Sequence, residues 1–170
     1  MMNEAHFHLT VNHFPIIGLA IGILVLITGF IIKNSIVKRT ALGIFVFAAL
    51  TAIPSMLSGE GAEEIVEKYA NVSHDTIHEH EENAEIFIKI ILGLGLISIV
   101  GLWADIKQKT FTKSLHLGIL AFALITFYFG KTVGTSGGEI RHPEISLENA
   151  ATPALPATEE ADDDHDNDHH

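Results

Sequence analysis

The 170 residues contain no cysteine. That absence excludes disulfides, zinc–thiolate centres, thiolate-ligated iron–sulfur clusters and a Cys-x-x-Cys-His attachment for c-type haem. Positive charge is also scarce, ten basic residues against 21 acidic ones, a balance that does not suggest nucleic acid as a partner. There is no phosphate loop, no His-Glu-x-x-His and no nucleophile motif, which leaves hydrolase and kinase chemistry without support.

The chain is rich in apolar residues, at 48% with a mean hydropathy of +0.34, too high for an ordinary soluble domain of this size. The excess is concentrated in four runs. Ile16–Ile32 and Ala41–Leu57 each hold 17 residues without a charge, close to the roughly 17–25 needed to cross a bilayer. A third run extends from Ile86 to about Trp103 and is interrupted by Lys89, which can snorkel to the interface. The fourth is Ser114–Gly130. Spans are expected at about 14–33, 40–58, 85–104 and 113–131. The first basic residue, Lys33, follows the first run rather than preceding it, so that run reads as a retained helix and not a signal peptide. Pro15 suits its first turn, and Gly18 and Gly22 have the Gly-x-x-x-Gly spacing of close helix packing. Pro54 should loosen the end of the second helix.

Between spans two and three, glycines end the membrane helix and Glu64/Lys68 suit a short surface helix. A long third helix then starts outside the bilayer, capped by Ser73 or Asp75. After Lys131 the chain turns glycine-rich through Gly134, Gly137 and Gly138. Composition makes residues 146–170, which end in an Asp/His run, a disordered tail. The expected fold is therefore all-α: an integral membrane up-down-up-down four-helix bundle over residues 1–145.

Six of the ten basic residues (Lys33, Lys38, Arg39, Lys107, Lys109 and Lys113) lie in the two links that join span one to two and span three to four. The positive-inside rule places these links in the cytoplasm and both termini outside. Ten of the eleven histidines, all but His116, and every acidic residue except Asp105 then fall on the outer side. At about 100° per residue, His80 aligns with Ile77, Ala84, Phe87 and Ile91, the inward stripe, whereas His74 and His78 share a polar face with Glu81, Glu82 and Glu85. The expected site has His13, His80 and His142 at its centre, with His8, Glu60 and Glu64 around them. Two neutral imidazoles, His13 or His8 with His80 or His142, would suit haem b between helices. A divalent transition metal would instead draw on Glu60, Glu64, His80 and His13. His116 alone is expected to be a hydrogen-bonded interfacial anchor.

The segments Asn12-His13-Phe14-Pro15, Ser58-Gly59-Glu60-Gly61-Ala62-Glu63-Glu64, His80-Glu81-Glu82 and Gly137-Gly138-Glu139-Ile140-Arg141-His142 resemble, in kind and order, an uncharacterised family of small bacterial four-helix membrane proteins, a domain of unknown function. The likeness runs from about Leu9 to Ile145. Some relatives are joined to Rieske or cytochrome c domains, so the resemblance implies an electron-transfer setting. Together these readings point to a haem b- or metal-binding electron-transfer subunit of a bacterial inner membrane. Its partners would be the bilayer and a respiratory or other redox membrane complex or soluble carrier, and it would lack turnover chemistry of its own. The alternatives are a metal-handling membrane protein and a structural subunit without a cofactor.

Overall fold

A computed structural model describes residues 4–69 and 74–141, and every regular element among them is helical. Helix α1 (Glu4–Val11) runs almost straight into α2 (His13–Ile31). The break at Asn12 has a local cause: Pro15 has no N–H to offer the Val11 carbonyl four residues back. Helix α3 (Ser35–Leu57) begins where the Asn34 side chain accepts hydrogen bonds from the backbone N–H of Ile36 and Val37, at 2.8 and 3.3 Å, as an N-cap does. Pro54 sits in its last turn, and Ser58 separates it from α4 (Gly59–Tyr69), the expected short surface helix.

Helix α5 (His74–Ile106) has 33 residues, about 50 Å at 1.5 Å per residue. That exceeds a hydrocarbon core of roughly 30 Å, so the His74 end stands clear of it. Helix α6 (Thr112–Arg141) departs from expectation. The glycine-rich stretch after Lys131 does not leave the helix. Gly134 and Gly137 lie within the helix, and Gly137 lets the His80 ring approach: a Cβ there would lie 3.0 Å from that ring. His142, the tail of residues 146–170 and Ser73 lie outside the described residues, as does the side chain of Glu60.

The bundle is formed by α2, α3, α5 and α6, packed in chain order so that each neighbour is antiparallel, with α6 closing more lightly on α2. Small residues allow close approach, as expected in membranes where packing rather than water drives association. On α2, Gly18 meets Ala48 and Gly22 receives the Phe45 ring of α3; on α5, Gly95 faces Ala49. Leu19, Leu26, Leu42, Phe45, Ile91, Leu94 and Ile119 are fully buried along the axis. The outer surface is equally apolar, with Leu24, Leu50, Leu96 and Leu124 all half-exposed or more. Water does not tolerate so continuous an apolar girdle on a monomer. Each of the four long helices is long and apolar enough to cross a membrane, and the fold is a membrane four-helix bundle.

At the end carrying the basic links, Arg39 at the start of α3 pairs with the Asp105 carboxylate at the end of α5, and its Nη2 donates to the Asp105 carbonyl at 3.2 Å. His116 lies close to this pair but is not the expected hydrogen-bonded anchor. It is fully buried on α6, and neither ring nitrogen makes a hydrogen bond of normal geometry, the Gly101 backbone offering only a weak interaction. Its neighbours explain this: the ring packs beside Gly101, where Ile119 and Leu42 also converge, and these side chains offer no donor or acceptor.

Candidate functional site

The opposite end of the bundle gathers the starts of α2 and α5, the ends of α3 and α6, and the two short helices. Helix α1 rests against α4 and the end of α3, which brings His8 to the last turn of α3. A helix end leaves its final carbonyls without partners, and His8 takes one of them. Its Nδ1 lies 3.0 Å from the Ser55 carbonyl and 3.1 Å from Ser58 Oγ. A carbonyl only accepts, so Nδ1 carries the proton. Ser58 agrees with that assignment, because its own hydroxyl donates back to the Pro54 carbonyl at 2.8 Å and so presents a lone pair to His8.

His80 is held in the same way by different elements. It projects from α5 toward α6, where its Nδ1 lies 2.9 Å from Ser136 Oγ. Ser136 is buried and donates its hydroxyl proton to the Val133 carbonyl at 3.2 Å. With the hydroxyl proton directed at the Val133 carbonyl, the serine accepts and His80 Nδ1–H donates. The Ser55 carbonyl sets the tautomer of His8, and that of His80 is assigned from this placement of the serine proton; in the neutral ring so protonated the free lone pair is on Nε2. Each ring is packed against a glycine position. A Cβ on Gly59 would come within 3.8 Å of His8 Cε1, and one on Gly137 within 3.0 Å of His80 Cε1. His8 and His80 are both half-buried and close enough to interact electrostatically. The buried Oδ1 of Asn12, at the same end, has no hydrogen-bond partner.

His13 opens α2 with an exposed side chain within electrostatic reach of His8. His78 is exposed, with Glu81 and Glu82 at 3.6 and 3.5 Å, on the polar face of α5. Glu64 is exposed on α4. Among the described residues no three His, Asp or Glu side chains are placed to hold one metal ion, so His13, Glu64 and His80 do not form such a group by themselves. The sequence reading missed the two serines. A serine closing a membrane helix at Ser58, and one amid the small residues around Gly134 and Gly137, are the signals that could have found them, since interhelical hydrogen bonds in bilayers commonly come from such positions.

Fold and site together define a membrane four-helix bundle with a serine-held histidine pair at one end. No protein-family model matches the chain, and no curated protein or solved structure matches it.

Proposed function

We propose that this protein is a multi-pass subunit of a bacterial inner membrane that binds haem b at its histidine end and serves electron transfer. In this reading the basic links face the cytoplasm, following the positive-inside rule, and the histidines face outward, within reach of a redox membrane complex or a soluble carrier. One observation carries the proposal: His8 and His80 are each held through Nδ1, at 3.0 and 2.9 Å, and with the proton on Nδ1 both Nε2 lone pairs are left for a ligand. A second hydrogen bond that sets the tautomer and steadies the ring is the usual support of a metal-ligating imidazole.

The residues fit haem better than a bare ion. Haem iron asks the protein for one or two imidazoles, whereas a transition metal ion needs three or four donors, which the described residues do not assemble. When bound, haem supplies reversible one-electron chemistry at its iron. The protein's part is to hold two neutral imidazoles at fixed orientation, with His13 at the rim. His142 belongs to the same proposal through the family resemblance, which also favours an electron-transfer setting.

Purified protein from cells supplied with haem precursor and iron should show a haem absorbance band that shifts on reduction, and His8→Ala or His80→Ala should remove or shift it. Zinc or copper bound without haem would replace this reading with metal handling. Protein carrying neither haem nor metal would leave a structural subunit.

A further inference from the structure

The other end of the bundle has a distinct surface that the electron-transfer reading does not use. Both of its links are tight, ordered turns. Lys33 and Gln108 each take up left-handed backbone, φ 54° and 51°. Asn34 N–H donates to the Gly29 carbonyl at 3.1 Å, and Lys109 N–H to the Ala104 carbonyl at 3.0 Å. The cations they carry are therefore presented on rigid backbone. Six are present: Lys33, Lys38, Arg39, Lys107, Lys109 and Lys113. Asp105 is the only carboxylate among the described residues at this end, and Arg39 already occupies it. Five lysines remain without an anionic partner.

Their surroundings suit an amphiphile. The Lys38 ammonium lies 5.5 Å from the Phe30 ring centre and that of Lys109 lies 5.4 Å from Trp103. Trp103 is half-exposed, and Ile31, Ile36, Ile106 and Phe111 stand exposed at the same end of the bundle. Charge at the head of an apolar wall, with an indole at the boundary, is the arrangement of a membrane–water interface. A lipid headgroup phosphate in that layer would meet uncompensated lysines, with exposed isoleucines beside its acyl chains.

We propose that the link end of the bundle is a docking surface for anionic phospholipid, with Lys107, Lys109 and Lys113 engaging the headgroup phosphate beside Trp103. Polybasic surface near a membrane attracts anionic lipid by about 1 kcal/mol per cation, roughly fivefold each, so three lysines support a clear preference over zwitterionic lipid.

Trp103 is the only tryptophan, which makes it a built-in reporter. Full-length protein is reconstituted into phosphatidylcholine vesicles containing 20 mol% of brominated lipid, as a rough working fraction, carried either on phosphatidylglycerol or on phosphatidylcholine. The expected result is quenching of Trp103 at least about threefold more effective by the brominated anionic lipid. The preference should shrink in about 0.5 M salt and disappear in the triple variant Lys107→Gln, Lys109→Gln, Lys113→Gln. That variant's quenching by brominated phosphatidylcholine should be unchanged, which checks that it is folded and inserted. Equal quenching by the two lipids in the wild type overturns the proposal. So does a preference that survives the triple substitution, or one that a few millimolar inorganic phosphate abolishes, since the last outcome assigns the lysines to a soluble anion.

Discussion

Replacing Gly95 with alanine tests the seam on which the position of His80 depends. The added methyl would lie 2.5 Å from the Cβ of Ala49 across the α3–α5 contact, where carbon atoms ordinarily rest about 3.5–4.0 Å apart. Both atoms are fixed to helix backbone, and no rotamer relieves the clash. The helices must therefore part by about 1 Å, loosening Phe45, Ile91 and Leu94, which are fully buried around them. Overpacking of this kind costs about 1–3 kcal/mol. Alanine returns up to about 1 kcal/mol through its better helix propensity. The net loss is about 1–2 kcal/mol, or on the order of 5 °C in Tm for a chain of this size. Gly118→Ala is the control, because nothing lies within 4 Å of its Cβ position and only the propensity gain applies. Thermal unfolding in a mild detergent, followed by circular dichroism, should show Gly95→Ala falling below wild type and Gly118→Ala equalling or exceeding it. Adding Ala49→Gly to Gly95→Ala should recover part of the loss by removing the clashing atom. Equal stability of the two alanine variants would refute the packing of α3 on α5 through these residues.

Four further outcomes are expected. Ser136→Ala removes the side-chain partner of His80 Nδ1 and leaves it only the Val133 carbonyl, with which it makes no hydrogen bond of normal geometry. It should cost up to about 1 kcal/mol together with cofactor retention, read by unfolding and haem absorbance; Ser58→Ala should do less, since the Ser55 carbonyl still receives the His8 proton at 3.0 Å. Arg39→Gln strips the partner from Asp105, whose side chain is only 12% exposed, and should destabilise by about 1–3 kcal/mol; Asp105→Asn should cost less, because Arg39 reaches water. His116→Phe should be neutral or stabilising in the same unfolding assay, because both ring nitrogens are buried without partners and an apolar ring of similar shape removes that penalty. With no native cysteine to interfere, Lys107→Cys and Glu79→Cys should react with a membrane-impermeant maleimide from opposite sides of the membrane, Glu79→Cys from outside; labelling of both from one side contradicts the topology.

The four membrane-length helices and the contrast in charge between their two ends were legible because each depends on local composition. Ile16–Ile32 and Ala41–Leu57 are apolar throughout, and lipid leaves such a run no option but a helix that satisfies its own backbone. The 3.6-residue period also assigned His80 to the inward face and His78 to the polar face, and the structure places them so. The continuation of α6 to Arg141 was not legible, because the glycine-rich residues after Lys131 carry no apolar run, and the contact of the His80 ring with Gly137 forms only when α5 and α6 pack. The surroundings of His116 were not legible for the same kind of reason, since a hydrogen-bond partner comes from whatever packs across the interface.

The opening histidines show where the division falls. Sequence alone determined that His6, His8 and His13 precede a membrane helix and share an end with His80, because hydropathy and charge act along the chain. Which of them faces inward was decided by tertiary structure. Helix α1 rests against the end of α3, and the Ser55 carbonyl beside the Ser58 hydroxyl fixes His8, while His13 stays exposed. No periodicity encodes that choice, because the acceptor that makes it lies 47 residues away and meets the imidazole only when the helices pack.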